Sequence, residues 1–156
     1  LRPQIAMLDD RRTRWRALYQ GMEAGLAGVP GVRLIPRPQH EDYMGSSFQF
    51  LLPGWEPARV AALVDGAAAR GVELKWFGAD TPQGFTSRYT HWRYAAPVAL
   101  PRTDRVLAGL IDMRLPLTFT TGDVALITRI LAEEADRAAR SDRAAPAAAA
   151  NASVAD

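Results

Sequence analysis

Four residues in one stretch, KWFGADTPQGFTSRYTHWRY (75–94), carry side chains able to do chemistry: Lys75, Arg88, Tyr89 and His91. Lys75 is the only lysine of the chain, and His91 is one of two histidines. A lysine amine becomes a nucleophile near neutral pH when it is desolvated or set beside another cation. Lys75 instead shares a strand face with Glu73, an arrangement that favours its charged form. It is therefore expected on a solvated strand face, and no catalytic residue is assigned. Arg88 offers a planar fork that matches a carboxylate with two parallel hydrogen bonds. It lies in an irregular segment beside Gly84, Phe85 and Tyr89, the kind of loop that faces a site. Arg88, Tyr89 and His91 form the candidate substrate-binding set. The competing readings are a surface arginine, one of eighteen, and a histidine that only holds structure.

Other chemistries find little support. The chain has no cysteine, so thiol catalysis, disulfides and thiolate metal sites are absent. His40 stands among Gln39, Glu41 and Asp42, but adjacent positions do not converge on one ion without a special turn, and no metal site is assigned. There is no G-x-S-x-G elbow and no G-x-x-x-x-G-K-[ST] loop. Arg88, Tyr89, His91, Trp92, Arg93 and Tyr94 mix cations with aromatics, as single-strand binders do. The net charge is only +2, and Trp76, Phe85 and Trp92 serve equally well to wrap a core, so no nucleic-acid partner is assigned. No apolar run reaches membrane-spanning length, and the first sixteen residues do not read as a signal peptide. A soluble cytoplasmic protein without a membrane partner is the expectation.

The elements that must position these residues are legible in the apolar periodicity. Ile5, Leu8, Trp15, Leu18, Met22 and Leu26 mark one face of a helix over about 3–27, ended by Gly28, Pro30 and Gly31. A short strand, 32–35, and a loop, 36–45, follow. SSFQFLL (46–52) alternates as a strand. Pro57 opens a helix with Val60, Leu63, Val64 and Ala67 on its apolar side, and Gly71 lies just past its end. VELKWF (72–77) is the next strand, giving a βαβ-type run. Residues 78–100 are irregular. A short helix over 104–111 and a strand over 113–119 come next, with Pro116 favouring an edge position for that strand. Thr120 and Asp123 have capping-box spacing before a last helix, about 121–138, which buries Val124, Ile127, Ile130 and Leu131. From Ser141 the alanine-rich tail lacks the apolar surface to offset its ordering entropy and is expected to be disordered. The fold class is α+β: a long N-terminal helix and a small, largely antiparallel sheet covered by helices.

The order of these elements resembles the C-terminal part of the DegT/DnrJ/StrS aminotransferases, a sugar-aminotransferase branch of the fold-type I pyridoxal-phosphate enzymes. RPQIAMLDDRRTRWRALYQGMEAGLAGVPGVRLIP resembles the family's linking helix and its GVPGV-type turn. SSFQFLLPG resembles the first strand of its small domain. LPRTDRVLAGLIDMRLPLTFTTGDVALITRI resembles its ending. The resemblance covers roughly residues 2–135. It implies residues 1–31 as a linking helix and 32–140 as the small domain, leaving 141–156 as the tail whose composition predicts disorder.

It further implies a reaction in which pyridoxal phosphate carries an amino group from an amino acid to a keto substrate, with nucleotide-linked keto-sugars among the candidates. The lysine that holds the cofactor belongs to a large domain upstream of the matched segments, so this chain would not bind the cofactor covalently and would be inactive alone. LRPQIAMLDDRRTRW reads as a helix interior, which fits a chain that begins within a larger protein. The implied partners are the missing large domain, a homodimer mate and a small-molecule substrate. A dimer would leave the exposed side of the first helix and the 78–94 loop unusually apolar. WFGADTPQGFTSRYTHWRY replaces the family's histidine- and proline-rich loop, so sugar specificity does not carry over. The alternative reading is a noncatalytic module that binds a partner chain; a weaker one is a nucleic-acid-binding domain.

Overall fold

The computed structural model describes residues 2–41, 43–83, 88–94, 96 and 98–152, and side chains from Gln4 to Ser141 within these ranges. The elements run α1 (Arg2–Ala6), α2 (Leu8–Leu26), β1 (Arg33–Leu34), β2 (Ser47–Leu51), α3 (Pro57–Ala69), β3 (Lys75–Trp76), α4 (Pro101–Leu107), β4 (Leu110–Arg114) and α5 (Thr121–Ala152), with a 3-10 turn at Tyr89–His91. The sheet order is β1-β2-β4-β3, and every neighbouring pair is antiparallel. Because β2 and β3 both run against β4, they are parallel to each other with β4 between them. The βαβ-type run of the sequence is thus a split unit.

Residues facing each other across antiparallel strands lie on one face of the sheet. Phe48 opposes Met113, and Phe50 opposes Ile111, which also opposes Trp76. This face meets Met22 and Leu26 of α2, Val60 and Leu63 of α3, and Val124 and Leu131 of α5 in one buried cluster. Tyr19 packs tilted on Phe48 with ring centroids 4.9 Å apart. α2 lies against α5 through Gly21 and Gly25, which face Val124 and Thr128.

Local signals close the helices as expected. At the end of α3, Val72 N–H reaches Ala67 O and Gly71 N–H reaches Ala68 O, each at 2.9 Å. This double closure needs a left-handed residue, and Gly71 supplies it at φ +83°. At the start of α5, Asp123 N–H donates to Thr120 Oγ1 at 3.1 Å while Asp123 Oδ2 accepts Thr120 N–H at 2.7 Å.

Several expectations are corrected. The strand expected over 113–119 is Leu110–Arg114, and it is central, not an edge. Met113 and Leu115 of the expected strand are buried, while Ile111, expected on the short helix, is a buried strand residue. The boundary moved because Gly109 lets the chain pass against β2: a Cβ there would meet Leu52 O at 2.5 Å. The short helix ends at Leu107 accordingly, and Pro116 falls beyond the strand. The first helix is interrupted at Met7, and Ile5 and Leu8 of its apolar face are exposed. The last helix runs past its expected end through the alanine-rich segment to Ala152, in keeping with alanine's high helix propensity.

Candidate functional site

β3 and the segment after it form the candidate site. Lys75 sits on the edge strand, half-buried, opposite Asp112 of β4. The expected ion pair with Glu73 is not formed: among the described residues no carboxylate lies within ion-pair distance of Lys75. Trp76, the neighbouring residue, turns its ring toward the core and donates its indole N–H to Ala108 O at 2.8 Å.

Arg88 and His91 are joined directly. Arg88 N–H donates to His91 Nδ1 at 3.2 Å, and His91 N–H donates to Arg88 O at 3.0 Å. Accepting at Nδ1 leaves Nε2 as the donor of the neutral ring. The Arg88 guanidinium faces Asp80 Oδ1 at 3.2 Å, with Asp80 94% exposed and Arg88 32% exposed. An exposed pair of this kind is worth at most about 1 kcal/mol.

Tyr89 faces the other way. Its hydroxyl donates to Asp104 Oδ2 at 3.1 Å and accepts Leu100 N–H at 3.2 Å. Desolvation, then the Asp104 hydrogen bond, raise its ionisation above the ordinary tyrosine range. Tyr89 thereby ties the 3-10 turn to the first turn of α4. Trp92 and Tyr94 stack on each other, centroids 5.9 Å apart and planes 12° apart, while remaining 45% and 85% exposed. Gly84 and Phe85, expected to flank Arg88, lie outside the described residues.

Asp80 and Asp104 are partners of the candidate residues that sequence reasoning missed. Each is reached by a loop closure whose geometry no local pattern encodes. A cleft of about 570 Å³ between α3 and β3, lined by Asp65, Glu73, Lys75, Trp76, Asp80 and Gln83 among others, was missed as well. Among the described residues no group of three or more histidines and carboxylates converges on a metal position, and no helix is long and apolar enough to cross a membrane.

No family model matches the sequence, and no curated protein matches it. Solved structures do. The aminotransferase TlmJ from Streptoalloteichus hindustanus superposes with a TM-score of 0.69 at 17% identity, over 84% of this chain and 33% of that one. DesV of S. venezuelae, solved with a ketimine intermediate, gives 0.65 at 19% identity, over 86% and 34%. A DegT DnrJ EryC1 StrS aminotransferase from Brucella abortus gives 0.61 at 15%, over 84% and 33%. The fold is that of a domain of these aminotransferases. The chain spans about a third of the length of each.

Proposed function

We propose that this chain is the C-terminal portion of a pyridoxal-phosphate-dependent aminotransferase of the DegT/DnrJ/StrS type, which moves an amino group from an amino acid to a keto substrate, with nucleotide-linked keto-sugars as candidate acceptors. The carrying observation is the likeness of fold over most of this chain to one third of several such enzymes.

Pyridoxal phosphate does not fit the cleft around Lys75 among the described residues. Asp65, Glu73 and Asp80 line the cleft around the chain's only lysine, and three carboxylates oppose a phosphate. The cofactor's lysine and phosphate groups belong, on this reading, to a large domain. In the complete enzyme, Arg88 holds a substrate carboxylate. Asp80 occupies that position now through a weak exposed pair, which a bidentate substrate carboxylate replaces. His91 Nε2 offers a second donor beside it, and Tyr89 contributes by fixing the turn that carries both. Exposed Ile5, Met7 and Leu8 around the junction of the first two helices, with Trp92 and Tyr94 on the loop, suit burial against the large domain or a second subunit.

Two measurements test this. Pyridoxal phosphate added to the purified chain gives no visible absorbance band dependent on Lys75; a band lost in Lys75→Ala overturns the reading. In the complete enzyme, Arg88→Lys lowers kcat/KM for the amino donor at least tenfold, with KM carrying the loss. Unchanged kinetics remove Arg88 from the substrate site.

A further inference from the structure

We infer that the cleft between α3 and β3 is a binding site for a small amphipathic zwitterion, a molecule with one carboxylate, one ammonium and an apolar body. The inference rests on the lining alone and is independent of the aminotransferase reading.

The cleft's volume, about 570 Å³, falls within the range of small-molecule sites, roughly 300–1,000 Å³. Its apolar wall comes from Ala61, Val64 and Ala68 of α3 together with Leu74 and Trp76. The small side chains at 61 and 68 leave space where larger residues would fill the groove. Lys75 lines the same cleft, half-buried, with no hydrogen bond or ion pair to any described residue. An ammonium so placed is an open position for a carboxylate. Glu73, two residues before Lys75 in the chain, lines the same cleft. Glu73 likewise has no ion pair to a described residue. Asp65 stands on the α3 side, while Asp80 is engaged by Arg88.

This charge pattern selects the ligand class. A simple anion would gain Lys75 but meet Glu73 and Asp65. A simple cation would gain the carboxylates but meet Lys75. A zwitterion satisfies both signs, and two charge-assisted hydrogen bonds of about 2.8 Å let an α-ammonium and its carboxylate bridge the Glu73–Lys75 spacing. Its apolar group then lies over Trp76 and the α3 alanines.

The experiment follows the Trp76 indole N–H, held by Ala108 O, in NMR spectra of the 15N-labelled chain. L-phenylalanine is titrated against phenylacetate, which lacks the ammonium, and phenethylamine, which lacks the carboxylate. The expected result is a saturable shift with L-phenylalanine and at least tenfold weaker binding of both analogues. Lys75→Met and Glu73→Gln, checked for unchanged spectra elsewhere, each weaken L-phenylalanine at least tenfold. No saturable shift with L-phenylalanine overturns the inference. So does equal binding of phenylacetate, or a shift that survives Lys75→Met. The two analogues need no mutation, so the test stands even where a variant fails to fold.

Discussion

Gly66 of α3 exists to make room for Glu134 of α5: a Cβ on Gly66 would lie 2.4 Å from Glu134 Oε2. The Glu134 side chain is 2% exposed yet doubly paired, with Arg70 at 3.0 Å and Arg137 at 3.2 Å. Arg70 also reaches Glu133 at 2.7 Å, and these hydrogen bonds, Glu133 first, raise its ionisation further above the ordinary range. Breaking a buried pair leaves an uncompensated charge, which is why such clusters are costly to damage. Gly66→Ala forces the carboxylate out of this arrangement and is expected to cost about 1–3 kcal/mol, as overpacking does. Glu134→Ala in the same background relieves the clash, so the double variant loses less than the two single losses combined. Urea unfolding of the four proteins checks this; additive losses would refute the coupling.

The α5 cap makes stability depend on pH. The Thr120 backbone N–H, then its hydroxyl, hold the Asp123 carboxyl below its ordinary value of 3.8. A lowered folded value means the cap contributes fully above the unfolded value, and its contribution disappears as pH falls through the folded one. Asp123→Asn therefore lowers the melting temperature at pH 7, and the gap between the two proteins narrows below about pH 4. Thermal melts across pH 2–7 measure it, with a constant gap as the contrary outcome.

Tyr89→Phe removes the hydroxyl that links Asp104 to Leu100 N–H. The amide of Leu100 should then exchange with solvent several-fold faster, while amides in β2 and β4 keep their protection. Hydrogen exchange read by NMR distinguishes this local release from general destabilisation.

Trp15 ties α2 to the end of β4 by donating its indole N–H to Leu115 O at 2.8 Å. Arg14 adds a hydrogen bond to Leu117 O at 2.7 Å. Trp15→Phe keeps most of the apolar contact but leaves the Leu115 carbonyl short of a partner. The expected loss is about 1–2 kcal/mol in denaturant unfolding. A loss below experimental error would mean water satisfies that carbonyl fully.

The sequence by itself determined the features that depend on near neighbours along the chain. The alternation of Phe48 and Phe50, the α3 stripe of Val60, Leu63 and Ala67, the Gly71 closure and the Thr120–Asp123 cap were all readable, because a few consecutive residues carry each signal. A strand containing Met113 was readable as well, though not its limits, which take in Leu110 and Ile111 from the expected helix. Tertiary structure decided what depends on residues far apart in the chain. It set β4 inside the sheet, where Gly109 must pass Leu52, and Gly66 beneath Glu134. It also left Ile5 and Leu8 uncovered although their spacing matches the buried part of the face. Arg88 was singled out from its residue type, but its ion-pair partner Asp80 and the cleft lined by Lys75 were not. Loop closure brings such residues together through backbone geometry, and a one-dimensional pattern holds no term for the space between elements.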